Sequence, residues 1–287
     1  MSFLKIFKIF LFLVPVLLIT VSSCVTFRQS DSKIIKKFKK VGVSPEIYRE
    51  NYQGKSIRFI AAKSIDTNLP TLLFIHGAPG ASKDFFSYLE DSELNTKANV
   101  ISVDRLGYGY SDYGHAETSI ENQAESIYTI VNKYKLSNVI LISWSFGVPI
   151  AAKMMYKHPE IKHSIMIAGA ISPKDEKFFS IAKVLRWKLT KWMFSKAFIV
   201  SDDEKMTHVE ELNKMSNDWE RIKVPITYYH GTKDRIVPYK NMNFITSKVN
   251  DSLLNAITVK DANHFISIKH YGMVKEELLR VIHKTQE

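Results

Sequence analysis

Val139-Ile140-Leu141-Ile142-Ser143-Trp144-Ser145-Phe146-Gly147 is an apolar run that ends in small-X-Ser-X-Gly and continues into a helical pattern. The run reads as a buried strand and residues 146–157 as a helix, which puts Ser145 on the turn between them. A serine hydroxyl is a weak nucleophile at its free pKa and has to be held exposed beside a base. A sharp strand-to-helix turn presents it in this way, provided that the flanking residues are small. Gly147 meets that condition, and Ser143 stands where glycine is commoner. Serines near glycines also occur in ordinary turns, so the pentapeptide needs support from the rest of the chain.

Outward from this stretch the chain alternates short apolar runs with helical stretches. Strands are expected at 57–62, 71–75, 100–103, 139–142, 164–168, 226–229 and 256–259, and helices at 82–94, 119–134, 146–157, 239–249 and 267–283. This alternation is the pattern of an α/β fold with a mostly parallel sheet. Strands that are apolar throughout are expected to have helices on both faces. Residues 172–221 break the rhythm. They hold no convincing strand but show helical patterns around Trp187, Trp192 and Trp219. Fifty residues is too long for a plain connection, so a helical lid inserted after the sixth core strand is expected there.

Three further motifs each follow a strand. His76-Gly77-Ala78-Pro79-Gly80 follows the apolar strand ending at Ile75. Acyl transfer needs preorganised donors for the developing oxyanion, and the backbone amides of Ala78 and Phe146 are the candidates. Asp104-Arg105-Leu106-Gly107-Tyr108-Gly109-Tyr110-Ser111 reads as a structural loop near the site, with no P-loop lysine to make it a phosphate cradle. At the C-terminal end, His230-Gly231-Thr232-Lys233-Asp234 and Asp261-Ala262-Asn263-His264 complete the set. Asp234 is suited to orient an imidazole and His264 to take the proton of Ser145, with Asp261 as a nearby competitor for the acidic role. Of nine histidines, His264 stands out because it follows the final strand.

HGAPG, DRLGYGYS, the SWSFG elbow with His158-Pro159-Glu160 after its helix, GTKDRIVP and NHF together resemble the α/β-hydrolase superfamily, in family order, from about Ser56 onward. The resemblance implies an α/β-hydrolase fold and a Ser145, Asp234, His264 triad of the serine-hydrolase type. It implies no metal and no organic cofactor. HGAPG is also similar to the HGGPG of proline iminopeptidases, which hold a substrate amine with acidic lid residues. Here the lid is mixed: residues 172–200 carry seven Lys/Arg against Asp175 and Glu176, and residues 201–221 carry seven acids against Lys205, Lys214 and Arg221.

The two ends add a location. Lys5 and Lys8 precede an apolar run at 9–21 that closes on Ser22-Ser23-Cys24. The run is short for a bilayer span of about 20 residues and reads as a secretory signal. Its small-small-Cys ending resembles a bacterial lipobox, with Val21 in the usual place of leucine, and this implies cleavage before Cys24 and lipid on its thiol. Cys24 is the single cysteine, so no intramolecular disulfide can form. The net charge is +11, part of it in Lys33, Lys36, Lys37, Lys39 and Lys40. That cluster suits either an anionic lipid surface or a solvated linker. No nucleic-acid recognition motif accompanies it. An apolar stripe of Phe178, Phe179, Ile181, Leu185, Trp187, Leu189 and Trp192 is expected to pack on its own domain, the alternative being a membrane surface.

The expected organisation is therefore a signal peptide at 1–23, an anchor linker at 24–55, a core at 56–171 and 222–287, and a lid at 172–221. The expected function is a serine hydrolase acting on a small-molecule ester, less readily an amide, in an exported and membrane-anchored protein. The alternatives are an aminopeptidase of the proline iminopeptidase type and a non-catalytic ligand-binding member of the fold.

Overall fold

The computed structural model describes residues 27–178, 185–187 and 190–285. Eight strands form one sheet: β1 (Glu46–Tyr52), β2 (Lys55–Ala61), β3 (Pro70–Ile75), β4 (Asn99–Val103), β5 (Ser137–Trp144), β6 (His163–Ile167), β7 (Ile226–Gly231) and β8 (Leu254–Val259). Their spatial order is β1-β2-β4-β3-β5-β6-β7-β8. β2 runs antiparallel to both its neighbours, and the pairings from β4 through β8 are parallel. Six helices of nine residues or more are described: α1 (Asp31–Lys39), α2 (Ile120–Lys133), α3 (Gly147–Lys157), α4 (Lys196–Lys214), α5 (Lys240–Lys248) and α6 (Tyr271–Lys284).

The central strands are apolar throughout because successive residues feed two different cores. Leu73, Ile75, Ile101 and Leu141 pack with Ile127 of α2 and Ala151 of α3. Their chain neighbours Leu72, Phe74, Val100 and Ile140 pack with Ile34 of α1 and Leu278 of α6. Each such side chain gains about 1.5–3 kcal/mol on leaving water. That gain holds the sheet between its helices and leaves the loops to carry chemistry.

All seven strands expected from the sequence are present, and β1 is additional. Its sequence, EIYRENY, is half polar and only partly buried, as suits an edge strand. Tyr48 stacks on Phe59 of β2 at 4.7 Å and meets Tyr134 edge-on. The helix expected at 82–94 is divided into a 3₁₀ turn Ser82–Phe85, a short helix Phe86–Leu89 and the start of Ser92–Lys97. Asp91 interrupts it by capping the last of these, accepting from the amide of Leu94 at 3.0 Å. The helix expected at 267–283 is likewise divided, at His270.

Between β6 and β7 the described residues contain α4 and short 3₁₀ turns, and no strand. α4 turns Val200, Glu204, His208 and Leu212 inward, a four-residue repeat in which half the buried positions are polar. The apolar stripe before it does not pack uniformly. Leu185 is buried, whereas Phe178, Trp187 and Trp192 are exposed; Phe179, Ile181 and Leu189 lie outside the described residues. Among the described residues no helix is long and apolar enough to cross a membrane. The signal-like run and Cys24 also lie outside the described residues.

Candidate active site

Ser145 follows β5 with φ +55°, in the left-handed region that non-glycine residues enter at a cost of about 1 kcal/mol or more. The amide of Ser145 is held by the carbonyl of Ile167 at 2.9 Å, and the Ser145 carbonyl takes the amide of Val148 at 3.1 Å. The turn also needs glycine beyond it. A Cβ on Gly147 would lie 2.5 Å from the carbonyl oxygen of Ile75 and 2.8 Å from that of His76. On the facing loop, a Cβ on Gly77 would lie 2.9 Å from Cβ of Ser145. Ser143 is fully buried, and its hydroxyl has no partner among the described residues.

Asp234 and His264 reach the same end of the sheet from the loops after β7 and β8. His264 Nδ1 lies 2.7 Å from Asp234 Oδ2, while the amides of Ile236 and Val237 both donate to Oδ1 at 2.9 Å. His230 Nε2 donates to the Val237 carbonyl at 3.1 Å and lies 3.5 Å from Oδ2 of Asp234. Burial on its own would raise the Asp234 carboxyl. The hydrogen bonds from His230 and His264, the imidazole charge and the Val237 amide outweigh it and hold the group well below the usual carboxylate range. The competitor Asp261 is exposed and paired with Lys233 at 2.9 Å. Asp234, and not Asp261, is therefore the acid bonded to His264.

Ser145 and His264 line a cavity of about 300 Å³, together with Phe27, Gly77, Ala78, Pro79, Asp84, Trp144, Ile236, Phe265 and Ile268. A second cavity, about 430 Å³, shares Ala78, Pro79, Ser145 and Ile236 and extends along Phe146, Ala170, Phe178, Leu185 and Phe198 to Glu176, Arg186, Asp202 and Lys205. The two spaces meet at the serine. Neither the Ala78 nor the Phe146 amide has a hydrogen-bond partner among the described residues. A larger open cavity, about 500 Å³, lined by Lys174, Lys240 and Lys248, contains none of these groups.

Two positioning residues were not evident as such from the sequence. Trp144 Nε1 donates to the His264 carbonyl at 3.0 Å, which ties the elbow to the histidine loop. Arg105, in the loop read as merely structural, is fully buried. Its guanidinium donates to the carbonyls of His76 at 2.9 Å and Gly77 at 3.1 Å, the two residues before Ala78. The Arg105 amide donates to His76 Nε2 at 3.0 Å. Burial, with the Arg105 charge beside it, holds His76 well below its ordinary pKa and so neutral. Arg105 is itself balanced by Glu204 of α4 through contacts of 2.8 and 3.2 Å, and Glu204 also accepts from Tyr108 at 2.5 Å and Gln123 at 3.1 Å. The only cue in the sequence was an arginine directly after a strand.

A family model for the alpha/beta hydrolase fold matches residues 70–201. A 1-acylglycerol-3-phosphate O-acyltransferase of Arabidopsis thaliana is 38% identical over 122 residues, covering 39% of this chain and 28% of that one. The human serine hydrolase BPHL is 25% identical over 231 residues, 73% of this chain and 79% of that one. The crystal structure of a bacterial membrane phospholipase A superposes with TM-score 0.67 at 14% identity, over 99% of this chain and 96% of that one. The chain spans under a third of the length of the plant acyltransferases it matches. With the observed strand order, these findings show the α/β-hydrolase fold.

Two outcomes follow from the buried charges. Glu204→Ala leaves Arg105 buried and unpaired, and is expected to cost about 3–5 kcal/mol in urea unfolding, with Glu204→Gln costing less. Asp84 is raised to about 6 by burial, partly offset by the Ala81 amide and Lys83. A carboxyl raised on folding contributes stability at low pH and loses it as pH rises through the folded value. Asp84→Asn should therefore gain stability relative to the parent between about pH 4 and pH 7. The gain is on the order of 1–2 kcal/mol, discounted because Asp84 is partly open to the cavity. Melting temperatures of the pair across that range check it, and a constant difference would refute it.

Proposed function

We propose that the protein is a serine carboxylesterase working through an acyl-enzyme. The observation that carries this reading is the 2.7 Å pair of His264 and Asp234, with His264 opening on the same cavity as a serine held at φ +55°. Ser145 attacks the ester carbonyl as His264 takes its proton, and Asp234 stabilises the imidazolium. The negative charge that develops on the carbonyl oxygen is met by the amides of Ala78 and Phe146. Collapse expels the alcohol, which receives the proton from His264. Water then attacks the acyl-enzyme by the same route, releasing the acid.

The peptidase alternative needs a free acid on the acyl side of Ser145, because the N-terminal amine belongs to the residue that becomes the acyl group. Glu176 is paired with Lys205, and Asp202 takes Arg186 in two bonds of 2.7 and 2.9 Å. Both acids of the larger cavity are thus already neutralised, which favours an ester with an acyl chain lying along Phe146, Leu185 and Phe198. Residues 172–221 act as the lid in this proposal, because Glu176, Leu185 and Lys205 wall that cavity.

Replacement of Ser145 by alanine should abolish labelling by a fluorophosphonate and cut p-nitrophenyl butyrate turnover by about 10³-fold or more. Persistent labelling, or faster turnover of aminoacyl-naphthylamides than of esters, would refute the assignment. The proposal also places the protein outside the cytoplasm, held by lipid on Cys24, on the strength of the signal-like N-terminus. Metabolic labelling with a radioactive fatty acid should mark the parent and not Cys24→Ser; equal labelling of the two would exclude that anchor.

A further inference from the structure

The acids around the site divide into those with a partner and one without. Asp234 is bonded to His264, Glu176 to Lys205, Asp202 to Arg186, Glu204 to Arg105, and Asp104 to Arg58. Asp84 has no ion-pair partner among the described residues. Its Oδ2 accepts the Ala81 amide at 3.1 Å, and its Oδ1 has no hydrogen-bond partner among the described residues. Lys83, the cation whose charge acts on it, lies over the Phe27 ring at 5.5 Å. Asp84 nevertheless lines the 300 Å³ cavity with Ser145 and His264. A carboxyl that faces an apolar chamber without a charge partner is left to be satisfied by a donor that enters the chamber.

The chemistry identifies which part of a substrate meets Asp84. His264 returns its proton to the departing alcohol oxygen, so the alcohol lies on the side of the serine where His264 is exposed. The cavity that His264 lines is therefore the leaving-group chamber, and the larger cavity takes the acyl chain. We propose that Asp84 is a specificity-determining carboxyl in the leaving-group chamber, and that the alcohol portion of the substrate carries a hydrogen-bond donor, a hydroxyl or an ammonium. The aromatic lining of Phe27, Trp144 and Phe265 holds the carbon body of such an alcohol, and the carboxyl takes the polar end. This inference rests on the esterase reading.

The test uses the full-length protein, Asp84→Asn, and four butyrate esters in two matched pairs. One pair is 2-hydroxyethyl and n-propyl; the other is 2-(dimethylamino)ethyl, cationic at about pH 8, and 3-methylbutyl. The asparagine carbonyl can still accept the Ala81 amide, so the turn is kept. The parent should favour at least one donor-bearing ester over its alkyl match by about 10- to 100-fold in kcat/KM. Asp84→Asn should remove most of that preference and leave the alkyl esters within about 3-fold of the parent. A preference confined to the hydroxyl pair identifies a hydroxylated alcohol, and one confined to the cationic pair an amino alcohol. An unchanged preference in Asp84→Asn, no preference in the parent, or an equal loss on all four esters would overturn the proposal. Turnover of none of them by the parent would overturn the esterase reading as well.

Discussion

The helix that follows Ser145 begins with its backbone against the carbonyl oxygens at the end of β3, and the geometry of the site depends on that approach. Only a residue without a Cβ can stand at Gly147, since any side chain would begin 2.5 Å from the Ile75 oxygen. The close approach brings the start of α3 to the end of β3, so Phe146 and the loop carrying Ala78 are neighbours before any substrate arrives. Ser145 is then forced to φ +55°, with its amide fixed to Ile167 and its side chain free to face the cavity. Strain at one residue is tolerated because β5 and α3 are buried on both sides and cannot relax it.

A second constraint keeps the facing loop in place. A buried guanidinium is costly unless its donors are used, and Arg105 spends them on two loop carbonyls and on Glu204. The arrangement joins three segments far apart in sequence: the loop after β3, the loop after β4, and α4. α4 carries Glu204 on its inward face, while Ser201, Asp202 and Lys205 of the same helix line the larger cavity. Residues that line the larger cavity and the residue that balances Arg105 beside the Ala78 loop thus belong to one helix. A change of register in α4 would alter both together.

This also explains what was legible in the sequence. The six inner strands announced themselves because alternate residues serve two apolar cores, which leaves few polar positions in each run; β8, at the far edge, was legible from the short run 256–259. β1 stayed hidden since an edge strand with one solvated face reads as polar. Ser145, Asp234 and His264 were legible because each follows its own strand and the chemistry demands those residue types. The preference for Asp234 over Asp261 was settled by geometry, since His264 lies 2.7 Å from Asp234 while Asp261 is exposed and paired with Lys233. The roles of Arg105 and Glu204 were not legible, because a buried ion pair between residues 99 positions apart leaves no periodic trace. The inward face of α4, half polar for the same reason, gave no apolar stripe.

The same accounting of charge bears on specificity. A cavity wall made of paired ions presents little net charge, so Glu176 with Lys205 and Asp202 with Arg186 bound the larger cavity without selecting a charged ligand. Their selectivity is one of shape, set by Phe146, Leu185 and Phe198 before the polar end is reached. On the other side of Ser145 the balance differs, since Asp84 is the unpaired charge among aromatic rings. Discrimination by a hydrophobic wall is shallow, because one methylene is worth only about 1–3 kcal/mol. Discrimination by a desolvated carboxyl is steep, because a substrate that cannot donate leaves it unsatisfied. Under the proposed esterase reading, the alcohol rather than the acyl chain is therefore the part of the substrate that the site would select.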